Sequence, residues 1–117
     1  MKISILLPYK ENFSPTYPGA VSIFVNSMNK ISQFKKNIKV YGSTDFKNKL
    51  SSNYINISLS KRLFKSQTKE YVNKFVKIQE QKKPDIIEVH NRPSYINYLT
   101  SIGSKLVLYF HNYQITM

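Results

Sequence analysis

The chain holds two histidines, and each follows directly on a run of strand-forming residues. Asp85-Ile-Ile-Glu-Val89 leads into His90-Asn91-Arg92-Pro93, and Lys105-Leu-Val-Leu-Tyr-Phe110 leads into His111-Asn112. Imidazole works near neutral pH as donor, acceptor or base, and guanidinium holds a carboxylate or phosphate through two parallel bonds. Parallel strands of open α/β sheets present their carboxyl ends to the ligand crevice. His90, Asn91, Arg92, His111 and Asn112 are therefore candidate binding residues. A plainer reading has His90 and Asn91 bonding loop backbone and capping the next helix, with Tyr95 and Tyr98 as packing residues. The repeat of the pattern on two strands favours function.

Other chemistries find little support. Two histidines without a paired acidic cluster fall short of the usual metal-ligand set. There is no Gly-x-Ser-x-Gly elbow and no Ser-His-Asp order of a hydrolase. With no cysteine there is neither a thiolate nor a disulfide framework. The loop Ser14-Pro-Thr-Tyr-Pro-Gly-Ala20 runs from a strand into a helix, and Gly19 there lets a phosphate approach the helix N-terminus. It lacks the spacing of a dinucleotide fingerprint and the Gly-Lys-Ser/Thr ending of a P-loop.

The elements that must position these residues follow from the apolar pattern. Ile3, Ile5, Leu6 and Leu7 form a nearly continuous run, closed by Pro8, that suits a central strand covered on both faces. Val21, Phe24, Val25, Met28 and Ile31 place a stripe along a helix of about three turns. Ile38, Val40 and Tyr41 make a second strand ending at Gly42. Asp45 to Ser52 has room for a one-turn helix, and Tyr54 to Leu59 alternates as a short strand. Leu63, Phe64, Tyr71, Val72, Phe75, Val76 and Gln79 predict a longer helix, closed by Lys82-Lys83 and Pro84. Asp85 to Val89 is a fourth strand, Pro93 to Ser101 a short helix stopped at Gly103, and Lys105 to Phe110 a fifth strand. Strands alternating with helices imply right-handed βαβ units: an α/β, Rossmann-like open parallel sheet in order 3-2-1-4-5, with helices on both faces.

At 117 residues the chain is one domain at most. Only His111 to Met117 follow the last strand, too little to cover its crossover face, so residues 1–117 read as a domain incomplete at its C-terminus. The opening apolar run is too short for a signal peptide, and no segment reaches the length of a membrane span. The formal charge of +12 suits attraction to nucleic acid or to an anionic surface. Its lysines are spread rather than clustered with aromatics, which disfavours nucleic acid and fits a weak pull toward anionic lipid or a biased composition.

Lys2-Ile-Ser-Ile-Leu-Leu-Pro8, the loop ending Pro-Gly-Ala20, Pro84-Asp-Ile-Ile-Glu-Val-His-Asn-Arg-Pro93 and Lys105-Leu-Val-Leu-Tyr-Phe-His-Asn112 together resemble the N-terminal domain of bacterial glycosyltransferase family 4, a group of GT-B enzymes that includes lipopolysaccharide-core and capsule sugar transferases. The resemblance spans nearly the whole chain, and the His-Asn-Arg-Pro and His-Asn endings are its most specific part. It implies two Rossmann-like domains facing a cleft, with the acceptor held mainly by this one and the nucleotide-sugar donor by a C-terminal partner domain. It further implies metal-independent transfer with retention to a saccharide or lipid-linked acceptor, with no cofactor, in the cytoplasm at the inner face of the bacterial membrane. On this resemblance His111 lies near the transferred sugar and His90 lines the cleft. Gly19 stands where the family has paired glycines near the donor phosphates, with Pro18 replacing the first. The chain alone is expected to be inactive. The alternatives are a small basic Rossmann-like module binding nucleotide or nucleic acid, or the remnant of an interrupted gene.

Overall fold

In the computed structural model, which describes residues 1–60 and 66–111, strand β1 (Ile3–Leu6) is buried at every position. It lies at the centre of the sheet because only there can an apolar strand be covered on both faces. Ile3 and Ile5 point to one layer, Ser4 and Leu6 to the other, and the Ser4 hydroxyl is satisfied by Gln79 Oε1 at 2.7 Å. On one side β1 pairs with β2 (Ile38–Gly42), which pairs in turn with β3 (Tyr54–Asn56). On the other side it pairs with β4 (Ile86–His90), and β4 with β5 (Lys105–Tyr109). All pairs are parallel and the order is β3-β2-β1-β4-β5. This is the Rossmann-like α/β sheet that the alternation of elements implies.

Helix α2 (Gln67–Lys82) and the short α3 (Ile96–Leu99), extended at each end by a 3₁₀ turn, pack on one face. Their core joins Leu6, Tyr41, Tyr71, Val72, Phe75, Ile87, Val89 and Leu99. Ser66 caps α2 by accepting the Lys69 N–H, and Lys83, in the left-handed conformation at φ 48°, ends it. Leu63 and Phe64, assigned to this helix from the sequence, lie outside the described residues. Gly103 at φ 87° turns the chain into β5, a conformation that costs glycine little.

Helix α1 (Ala20–Ile31) covers the other face. Here the structure departs from the apolar stripe. Val21 and Val25 are buried, with Ser22 and Asn29 beside them, whereas Phe24, Met28 and Ile31 are exposed. The stripe is wider than the strand surface beneath it: α1 sits over β1 and β2, and among the described residues no helix covers this face of β4 and β5. Residues 45–52 form an irregular segment rather than a helical turn. Leu50 N–H donates there to the Phe13 carbonyl, and Phe13 stacks on Tyr54, so the loop itself serves as cover for β2 and β3. No helix among the described residues is long and apolar enough to cross a membrane.

Candidate functional site

The site is built at the carboxyl ends of β4 and β5. Register sets His90 opposite Tyr109, so the residue after each strand projects from the same edge of the sheet. Asn91 then takes φ 55°, a left-handed conformation that asparagine tolerates better than most residues. Its N–H donates to the Tyr109 carbonyl at 2.9 Å, and its Oδ1 accepts the His111 N–H at 2.6 Å. Asn91 is thus the clamp that brings the second histidine to the first. Arg92 donates through Nη1 to the Asn91 carbonyl at 2.8 Å and is otherwise exposed.

The two imidazoles meet. His90 Nδ1 and His111 Nε2 are 2.8 Å apart, a hydrogen bond in which the tautomers decide which ring donates. His90 is 1% exposed and stacks on the Tyr109 ring with centroids 4.9 Å apart; Phe24 of α1 presents its face or edge to His111 at 4.7 Å. Glu88, two residues before His90 on the same face of β4, holds Oε2 at 3.6 Å from His90 Nε2. That gap is too long for a hydrogen bond, and Nε2 has no partner among the described residues. A carboxylate at this distance favours a proton on Nε2. His90 Nδ1 then accepts from His111 Nε2, and the other nitrogen of His111, Nδ1, is left bare as the acceptor. Burial, and then the neighbouring His90, hold the His111 pKa below the usual imidazole value, with Glu11 opposing weakly. The charge of Glu88, followed by burial, raises that of Tyr109. The arrangement can accept a proton or a hydroxyl hydrogen bond at His111 without first losing a proton itself.

Comparison with protein-family models, with curated proteins and with solved structures finds no match to the chain.

The loop before α1 carries a feature that sequence reading missed. Glu11 Oε2 accepts from Ser22 N at 3.1 Å and from Ser22 Oγ at 2.6 Å, capping a helix whose N-cap, Gly19, has no side chain to do so. A Cβ on Gly19 would lie 1.8 Å from that oxygen. Gly19 therefore admits an anion to the helix terminus, and the anion there is the chain's own carboxylate. The signal was present in composition: Glu11 is one of only six acidic residues and stands in the very loop where an anion was expected. Asn112 lies outside the described residues.

The remaining site residues sort by place. His90, Asn91 and His111 come together with Glu88, Phe24 and Tyr109, while Arg92 stands at the rim and Gly19 serves the α1 cap. Tyr95, buried, accepts the Tyr9 N–H through its hydroxyl at 3.1 Å. Among the described residues no group of three or more His, Asp or Glu side chains is placed to hold a metal ion. A cleft of about 820 Å³ lies along α2, away from the histidines, lined by Ser60, Ser66, Lys69, Glu70, Lys74 and Lys77 among others.

Proposed function

We propose that this chain is the acceptor-side half of a GT-B glycosyltransferase of the family 4 type, acting in cell-envelope polysaccharide synthesis. The reading starts from the resemblance of its strand endings. The observation that supports it most is the hydrogen-bonded imidazole pair at the carboxyl ends of two neighbouring parallel strands, where open α/β sheets take their ligands.

In this proposal His111 meets the transferred sugar or the acceptor hydroxyl through Nδ1, and the buried His90 fixes its ring and tautomer. Arg92 holds a carboxylate or phosphate on the acceptor. Because Glu11 already fills the N-terminus of α1, the donor phosphates fall mainly to the partner domain. Transfer needs a two-sided cleft that excludes water and orients donor against acceptor, so this chain alone binds without turning over. The lysines along α2 favour a peripheral contact with anionic lipid at the inner face of the membrane.

The test is a titration of the chain with a panel of saccharides, nucleotide-sugars and single-stranded oligonucleotides, following the histidine ring signals by NMR. A saccharide that shifts His111, with the shift lost in Arg92→Ala, supports the proposal. Oligonucleotide binding with steep salt dependence and no saccharide response would replace it with the nucleic-acid-binding reading.

A further inference from the structure

Beneath the overhang of α1, where the helix covers β1 and β2 but no described helix covers β4 and β5, lies a cavity of about 230 Å³. It runs from the start of β1 and β2 to the ends of β4 and β5. Most of its wall is apolar: Ile3, Ile5 and Val25 form the floor, with Phe24, Met28 and Phe34 around them. Besides Tyr109, four polar residues break that wall: Glu88, His90, Asn29 and Ser32, whose hydroxyl already accepts the Phe34 N–H. Glu88, His90 and Asn29, the last 8% exposed, line the cavity, and among the described residues His90 Nε2 and Asn29 Nδ2 have no hydrogen-bond partner. Buried polar atoms without partners are rare in folded proteins, and two of them on one cavity call for an explanation.

The charge of the cavity is the second clue. The protein carries 18 lysines and arginines against six acidic residues, yet among the described residues no lysine or arginine lines this cavity and one of the six acids does. A predominantly apolar hollow with a few convergent polar groups is the usual form of a small-molecule site. Its polarity excludes an anion, which would meet Glu88 unshielded. A cation, in contrast, finds a carboxylate and the faces of Phe24 and Tyr109, which attract positive charge.

We infer that this cavity is a binding site for a small ammonium ligand with an apolar, preferably aromatic, body and an oxygen along its length. The ammonium donates to the Glu88 carboxylate, whose Oε2 lies 3.6 Å from His90 Nε2 and receives no close hydrogen bond from it. The ligand oxygen answers Asn29 Nδ2, and the apolar body lies against Phe24, Met28 and Phe34. The site is separate from the crevice at the sheet edge, since His90 meets His111 through Nδ1 and the cavity through Nε2. The inference does not depend on glycosyl transfer.

A matched series of probes tests it on the full chain: 2-amino-1-phenylethanol, 1-phenyl-1,2-ethanediol and mandelate. They share ring and hydroxyl and differ in the charged end. Binding is read by calorimetry and by the ¹⁵N signals of the His90 ring. The expected result is that the amine binds at least about tenfold more tightly than the diol, mandelate does not bind, and the amine shifts the His90 signals. In Glu88→Gln, isosteric and partly exposed, the preference for the amine is expected to vanish. Equal binding of all three probes, binding of none, or an amine preference that leaves His90 unmoved or survives in Glu88→Gln overturns the inference. The three probes on the unaltered chain decide the question even if the variant fails to fold.

Discussion

Because the His111 ring packs against Phe24 and beside His90, folding favours its neutral form and its pKa lies below that of an exposed imidazole. In the unfolded chain the same ring titrates near its usual value of about 6.5. The unfolded state therefore binds more protons in the window between the folded value and about 6.5. Stability due to His111 is fully present above that window and is lost as pH falls through it. Urea unfolding at a series of pH values should show this decline, and His111→Gln should flatten it. A decline of equal size in the variant would place the proton uptake elsewhere. At Gly19 the argument is steric. An alanine there would put Cβ within 1.8 Å of Glu11 Oε2 and push the carboxylate off Ser22. Gly19→Ala should cost about 1–2 kcal/mol, the value of a lost helix cap. Glu11→Ala should cost a similar amount, and the double variant much less than the sum, because both changes remove the same contact.

At the scale of elements, the tyrosines do the joining. Tyr71 of α2 is fully buried and donates its hydroxyl to the Leu7 carbonyl at 2.6 Å, with the Tyr41 carbonyl at 3.3 Å. The Leu7 carbonyl lies just past the end of β1, whereas the Tyr41 carbonyl also accepts the Leu7 N–H; burial holds the phenol well above its ordinary pKa, so it remains a donor. Tyr71→Phe should destabilise the fold by roughly 1–3 kcal/mol, the cost of leaving a buried carbonyl unpaired. Thermal unfolding of the variant checks this, with an unchanged midpoint as the contrary result. The strands, their order and the placing of both histidines on one edge of the sheet were legible in the sequence, since apolar runs and turn residues report directly on a parallel sheet. The burial of Tyr71, Val72, Phe75 and Gln79 also follows from helical spacing. The exposure of Phe24 and Met28 does not. Spacing shows which residues share a helix face, but not how wide a surface the sheet offers that face. Glu11 and Glu88 were equally hard to read, because their partners, Ser22 across a loop and the far nitrogen of His90, are set by tertiary packing. Asn91 was visible as a candidate, yet its role as the clamp on His111 depends on a left-handed backbone that asparagine permits but does not require.

For the molecule as a whole the two faces of the sheet are unequal, and its local stabilities should follow. β1 has a paired strand on either side and packed layers above and below. Among the described residues β5 is an edge strand with one neighbour, and of its side chains Leu106 and Leu108 reach the core under α2 and α3. On its other face Val107 is half-buried, while Tyr109 and the following Phe110 are exposed, the latter at 62%. Apolar area left in water contributes nothing to holding a strand down, and each buried Å² is worth about 25 cal/mol. Opening β5 alone therefore sacrifices far less than unfolding β1, which carries the centre of both cores. Native-state hydrogen exchange should separate the two. The β1 amides should exchange only through global unfolding, on the order of 5–15 kcal/mol for a domain of this kind. The β5 amides bonded to β4, and that of Lys105 bonded to Asp85 just before it, should open several kcal/mol earlier as a local unit. Because Asn91 binds both the Tyr109 carbonyl and the His111 N–H, that opening must also separate the two imidazoles. A ligand that engages His111 or the cavity beside Tyr109 should consequently slow β5 exchange while leaving β1 unchanged. Protection of β5 equal to that of β1 in the free chain would mean that the open face is closed in solution, and that the histidine pair is more rigid than its position on an edge strand allows.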